Sequence, residues 1–247
     1  MRYLFIVYAF IFAFSFRSYA YPLYWFTSAG IKKPAQKIAK MFNRTHSSKV
    51  IVINGGTGKV LNEMLETKKG DVYTPVDSKF LRIAMNNNII VVHKRFLKLT
   101  PIFALSKTGE KKIKNFYDLF KPGVKIASGN PKVMALGTVS NYIINKLPKD
   151  MSVKMNQNIA VRALNVFQII GYVKNGAVDA GIMLDKALIR KFSLSYIAIP
   201  KQYSINKYGY LTLISYSKQK KKAKELFDFI LKHLDVYKEY GFEVIYR

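Results

Sequence analysis

Two rhythms of apolar residues alternate along the chain. Short unbroken runs at Tyr24–Thr27 and Lys49–Ile53 predict strands. Between them Ile38, Met41 and Phe42 share one face of a helical repeat over about Pro34–Phe42. Val60, Leu61, Met64 and Leu65 mark a second helix. Asp71–Thr74 then reads as a strand, Ser78–Met85 as a helix and Ile89–His93 as a strand. After Pro101 the rhythm restarts. Phe103–Ser106, Val124–Ala127, Asp179–Met183 and Tyr208–Ser215 read as strands, and Gly137–Leu147 and Val166–Lys174 as helices. A closing helix carries Ala223, Leu226, Phe227, Ile230, Leu231 and Leu234 on its buried stripe. Strands alternating with helices predict an α/β fold with mainly parallel sheet.

The N-terminal segment breaks this rhythm. Arg2 is followed by thirteen uncharged residues, Leu4 to Phe16, and then by Ser18-Tyr19-Ala20. A positive start, an apolar run and a small-x-small site form the layout of a secretory signal peptide, cleaved after Ala20. The run falls short of the roughly 20 residues that span a bilayer. Residues 1–20 are therefore expected to be a leader, and the mature protein to be soluble and extracytoplasmic.

Composition then sharpens the partner question. The 247 residues carry 41 Lys plus Arg against 14 Asp plus Glu, a formal charge of +27. Half the residues are hydrophobic, so a disordered basic tail is excluded. Of the basic residues 33 are lysine and eight arginine, spread along the mature chain. Arginine, with its planar fork, is the usual reader of phosphate and guanine. Dispersed lysines behind an export signal point away from nucleic acid. Removing Arg2 and Arg17 with the leader takes +27 to +25. Such a surface would touch a membrane only peripherally, through anionic lipid.

Catalytic signatures are missing. With no cysteine, disulfides, thiolate metal sites and thiol nucleophiles are excluded. His46, His93 and His233 lie far apart and form no H-x-x-x-H pair. No G-x-S-x-G elbow occurs, and nothing in the spacing of Asp118, Asp179 and Asp185 requires an acid pair. The chain is not expected to be an enzyme, and no cofactor is implied.

Two loops suit an anion. Thr27-Ser28-Ala29-Gly30 and Gly55-Gly56-Thr57-Gly58 each lie between an expected strand and helix. A helix N-terminus offers unpaired N–H groups and partial positive charge, small residues let a ligand approach, and a hydroxyl adds a donor. Either loop alone is an ordinary turn; two on neighbouring strands would line one cleft.

With those loops in view, the chain resembles the periplasmic molybdate-binding proteins of bacterial ABC importers. Phe26-Thr27-Ser28-Ala29 resembles that family's first ligand loop, and Gly55-Gly56-Thr57-Gly58 its serine-rich second one. Gly70-Asp71-Val72-Tyr73 with Val76-Asp77 resembles its "ADVF…AD" segment. Gly129-Asn130-Pro131 with Gly137 resembles "GDPxxVPAG". Asn165-Val166, Gly176 and Asp179-Ala180-Gly181-Ile182 resemble "NVRxAL…G…DAGIVY", and Tyr240-Gly241-Phe242 resembles a C-terminal "YGF". The matches keep the family's order and cover essentially the whole mature chain.

The resemblance implies a type II periplasmic-binding-protein fold, two α/β lobes joined by two crossover strands with a ligand cleft between them. Lobe one would hold residues 21–102 plus 207–247, and lobe two residues 103–206. It implies ligand contacts at Ser28, Thr57, Leu136, Val166 and Leu184, with Gly56, Gly58 and Ala135 in support. Hydroxyls and backbone N–H groups would hold a molybdate or tungstate oxyanion, with no protein-coordinated cation. The partners implied are an ABC permease and its ATPase, and the protein is expected to be a monomer.

The sequence departs from the family at three places. Leu184 stands where a tyrosine hydroxyl usually reaches the anion, Gly56 stands for a serine, and Ala135-Leu136 for Pro-Ala. None of the five implied contacts is acidic. Molybdate, tungstate and sulfate are fully ionised and only accept hydrogen bonds, whereas hydrogen phosphate also donates one. A proton-free oxyanion is therefore favoured over phosphate. Asp77 and Asp185 lie near the matched motifs, but capping is the commoner role for such residues. Two alternatives stay open: a small organic acid as ligand, or a secreted basic adhesin.

Overall fold

The computed structural model of the protein describes residues 21–184, 189 and 192–246. The expected leader at 1–20 and Asp185 lie outside the described residues.

Two mixed sheets, each with helices packed on it, form the molecule. The first has six strands in the order β11-β4-β10-β3-β1-β2. They are β1 (Leu23–Ser28), β2 (Val50–Gly55), β3 (Val72–Thr74), β4 (Ile90–Leu99), β10 (Lys207–Ile214) and β11 (Glu243–Val244). The second has five, in the order β7-β6-β8-β5-β9. These are β5 (Ile102–Leu105), β6 (Ile126–Gly129), β7 (Ile159–Ala163), β8 (Ala180–Met183) and β9 (Ser195–Ala198). The chain passes from the first sheet to the second between Leu99 and Ile102, and returns between Ala198 and Lys207. The Thr100 hydroxyl donates to Asn206 Oδ1 at 3.2 Å, tying the two crossings together.

The first lobe grows from β1. All but one of its residues are buried, and it lies between β2 and β3, parallel to both. Parallel neighbours need a crossover helix. Helices α1 (Lys32–Thr45) and α2 (Thr57–Thr67) supply the two crossovers. α1 turns Ala35, Ile38, Ala39 and Phe42 inward, one stripe at helical spacing. α3 (Ser78–Asn86) follows, capped by Asp77, whose Oδ1 accepts from Lys79 N at 2.9 Å. Trp25 is fully buried and donates its indole N–H to Thr74 Oγ1 at 3.1 Å, so its polar edge is satisfied.

The second lobe packs α4 (Lys107–Lys112), α5 (Ala135–Lys146), α6 (Lys149–Asn158) and α7 (Val166–Lys174) on its sheet. Gly137 explains one motif. A Cβ there would sit 2.3 Å from Pro131 N and 2.4 Å from the Asn130 carbonyl carbon. The first turn of α5 rests directly on the Asn130–Pro131 loop, and a side chain would lift it off.

The sheets are less parallel than the alternation predicts. β10 runs antiparallel between β3 and β4, β11 pairs antiparallel with β4, and β5 runs antiparallel to β8 and β9. β5 and β10 are the strands entered directly from the other lobe. No crossover helix precedes either of them, so nothing imposes the parallel direction.

The helix Lys220–Lys232 covers the first sheet with Ala223, Leu226, Phe227 and Ile230, as its stripe predicts. The short helix Asp235–Glu239 then buries Tyr237, whose ring meets Phe96 edge-on at 5.0 Å. Among the described residues Tyr237 Oη is the buried side-chain atom with no hydrogen-bond partner. Burial also pushes its phenol far above the usual range. An unsatisfied buried hydroxyl costs about 1–3 kcal/mol. Tyr237→Phe keeps the ring contacts and removes that cost, so thermal unfolding should shift upward; a downward shift would show that the hydroxyl is paired.

Candidate functional site

The carboxyl ends of β1 and β2 lie side by side, with Ser28 paired to Gly55. Ligands of open α/β sheets sit at such strand ends. Here the register brings the two small-residue loops together. Ser28 Oγ lies 2.9 Å from Thr57 Oγ1, and both side chains are buried. Ser28 Oγ is also 3.2 Å from the Thr74 carbonyl at the end of β3. Tyr73 donates its hydroxyl to the Thr57 carbonyl at 3.0 Å, which fixes the first turn of α2. Burial, and after it the Asp77 charge, pushes the Tyr73 phenol well above its usual range, so it remains a donor.

The second lobe meets these loops with two helix starts. α5 begins at Ala135 after Met134, and α7 at Val166 after Asn165. Leu184, just past β8, packs against the cores of both lobes. Ala29 packs in the second lobe's core and Ala135 in the first's, so the lobes interlock. Three polar contacts cross the cleft beside them. Gly58 N donates to the Val133 carbonyl at 3.0 Å, and Lys79 Nζ to the Pro131 carbonyl at 2.8 Å. The Thr138 hydroxyl donates to Asp77 Oδ2. The same carboxylate oxygen lies 3.0 Å from Lys207 Nζ.

Between the lobes is a cavity of about 50 Å³. Its lining includes the Ser28 and Thr57 hydroxyls together with Ala29, Gly56, Ala135, Leu136 and Val166 at or beside helix starts. The apolar residues Ile31, Val76, Leu99, Met134, Leu184 and Phe242 also line it. Among the described lining residues none is charged.

Three of the four helix starts at the cavity lack a side-chain cap: the 3-10 turn Ala29–Ile31, α2 and α5. The fourth, α7, is capped by Asn165. α3, α4 and the 3-10 helix Phe116–Phe120 are capped by Asp77, Ser106 and Asn115. α6 and Lys220–Lys232 also lack side-chain caps, but they start in exposed residues, where water can serve. Uncapped N–H groups at a buried helix start need a partner. The cavity is where such a partner would sit, and the partial positive charge of the helix starts favours an anion there.

All five positions implied by the resemblance, Ser28, Thr57, Leu136, Val166 and Leu184, line this one cavity, as do Gly56 and Ala135. Gly58 differs, because its N–H is already held by Val133. Gly56 shows why a larger residue would not fit: a Cβ would lie 2.6 Å from the Leu164 carbonyl oxygen and 2.8 Å from that of Val133. Asp77 is the cap that was expected, and also a link between lobes, which was not. The acid pair does not form from the described members. Asp118 accepts from Lys114 N at 2.7 Å and pairs with Lys121. Asp179 pairs with Lys112 and accepts from Lys125 N at 2.9 Å. Apart from Leu184, the apolar lining was not legible, although Phe242 belongs to the Tyr240-Gly241-Phe242 motif.

The profile of the bacterial extracellular solute-binding proteins matches residues 23–243. The chain belongs to that family. A binding protein of Haemophilus influenzae is 27% identical over 216 residues, covering 87% of each chain. An ABC transporter substrate-binding lipoprotein of Bacillus subtilis is 24% identical over 222 residues, covering 87% of this chain and 84% of its own. The periplasmic molybdate-binding protein of Azotobacter vinelandii superposes with a TM-score of 0.73 at 18% identity, over 89% of this chain and 98% of that one. At that identity the likeness shows the fold, a two-lobed periplasmic binding protein of type II. This solute-binding protein is therefore a binding component rather than an enzyme. No helix among its described residues is long and apolar enough to cross a membrane.

Proposed function

We propose that the protein is the extracytoplasmic receptor of an ABC importer and takes a compact, fully ionised tetrahedral oxyanion between its lobes. Among inorganic ions molybdate or tungstate comes first and sulfate second. One observation carries this reading: two buried hydroxyls and several uncapped helix starts converge on a small cavity without a charged lining residue. A site of hydroxyl and backbone N–H donors with no carboxylate in its described lining suits an anion that holds no proton. Asp77, the nearby carboxylate, is occupied by Lys207, Thr138 and the α3 backbone, which disfavours hydrogen phosphate.

Size supports the same reading. A cavity needs roughly 10–15 Å³ to hold one water. About 50 Å³ therefore admits about three to five water-sized groups, which fits four oxygens around one centre. A sugar or peptide needs more room. Once the lobes meet, the buried anion is held by fixed dipoles rather than water, and a low local dielectric strengthens each contact. A leader cleaved after Ala20, release as a monomer, and delivery to a permease with its ATPase complete the proposed cycle.

Thermal unfolding with molybdate, tungstate, sulfate and phosphate tests the reading. At about 100 times its dissociation constant a ligand adds about 2.7 kcal/mol, which for a chain of this size raises the midpoint by roughly 5–10 °C. Molybdate or tungstate should give the larger shifts, and phosphate little. If no small anion moves the midpoint, the protein is not this kind of receptor.

A further inference from the structure

The cavity lining is chemically mixed, and a bare oxyanion matches only part of it. Ser28 and Thr57 bring hydroxyls, and the starts of α5 and α7 contribute Ala135, Leu136 and Val166. Ile31, Val76, Leu99, Met134, Leu184 and Phe242 line the same cavity, with no hydrogen-bond donor in any of these side chains. A dianion with four equivalent oxygens enclosed by this lining would set charged oxygen against apolar side chains. An oxygen carrying charge and buried without a donor is penalised. An alkyl group in its place would be favoured, because its surface leaves water for apolar neighbours.

Resting on the receptor reading above, we infer that the site prefers a short alkanesulfonate, an anion with three accepting oxygens and one small apolar substituent, over an inorganic oxyanion of similar size. The sulfonate group is ionised throughout the physiological range, so it needs only donors. An alkylphosphonate keeps a proton near neutrality and is best met by a carboxylate, and none lines the cavity among the described residues. Asp77 cannot fill that role while it pairs with Lys207 and accepts from Thr138. A carboxylate offers two oxygens in a plane and leaves a donor unmatched. The cavity of about 50 Å³ favours a short substituent. A single negative charge is also less costly to remove from water than the double charge of molybdate or sulfate.

Leu184 is the residue that sets the preference. It lines the cavity and packs against the cores of both lobes. A tyrosine at this position would bring a hydroxyl toward the fourth vertex.

Titration calorimetry with methanesulfonate, ethanesulfonate, sulfate and molybdate decides the matter for the wild type, Leu184→Tyr and Leu184→Met. One apolar carbon in a matching pocket is worth about tenfold or more in selectivity. The wild type should therefore bind methanesulfonate or ethanesulfonate at least about tenfold more tightly than sulfate or molybdate. Leu184→Met should keep that order and Leu184→Tyr should invert it. Tighter binding of sulfate or molybdate by the wild type would overturn the inference and leave the oxyanion receptor standing. An order unchanged in Leu184→Tyr, with circular dichroism showing it folded, would overturn the role given to Leu184. Binding of neither kind of anion would remove the receptor reading itself.

Discussion

Ser28→Ala combined with Thr57→Ala is expected to weaken oxyanion binding by about two to four orders of magnitude. A hydrogen bond to a charged group is worth about 1.5–3 kcal/mol, and two are lost. Each 1.4 kcal/mol is about tenfold in affinity. Removing both hydroxyls together is the cleaner experiment, because Oγ and Oγ1 lie 2.9 Å apart and either one left alone could still serve the anion. The fold should tolerate the pair. Both side chains are small, and the strand register at Ser28 is held by backbone pairing with Gly55. Calorimetry gives the affinity and a melt without ligand gives the stability. Affinity equal to the wild type would place the anion elsewhere.

The second large effect is on stability. Asp77→Ala should lower the unfolding free energy by about 3–5 kcal/mol, because it leaves a mostly buried lysine without its counter-charge. The Lys207 side chain is 12% exposed and that of Asp77 1%. The same change removes the α3 cap and the acceptor for Thr138. For a chain of this size roughly 2–4 °C accompany each kcal/mol, so the melting midpoint should fall by about 6–20 °C. Thr138→Val separates the two roles of Asp77. It keeps the ion pair and the cap and removes only the link between lobes, so it should leave the melt of the free protein nearly unchanged and weaken ligand binding. A melt as low as that of Asp77→Ala would show that the interlobe bond, not the ion pair, holds the fold.

Much of this architecture was legible because local signals agreed with tertiary ones. Helix α7 forms over the expected Val166–Lys174, where Asn165 accepts from Gln168 N and Val166, Ile169, Ile170 and Val173 give a full buried stripe. α6 was missed for the opposite reason. Only Met155 of its ten residues is buried, so no periodic stripe betrays it. β7, β9 and β11 escaped because they lie at sheet edges, where burial is partial and alternation weak. The hydroxyls and helix starts of the cavity could be read because each sits in a short local motif. Most of the apolar lining could not. Ile31, Val76, Leu99 and Phe242 meet only after the chain has crossed to the second lobe and returned, and no spacing along the sequence encodes that meeting.

The position of β10 carries a consequence for how the protein is made. It lies between β3 and β4, yet more than a hundred residues separate it from the end of β4. Until that late strand emerges from the ribosome, the first sheet is divided, with β1, β2 and β3 on one side of a gap and β4 on the other. The second sheet, by contrast, is encoded in one continuous stretch from Ile102 to Ala198 and has all its partners earlier. The middle of the chain can therefore fold before its beginning, and the N-terminal lobe has to wait for the C-terminal segment.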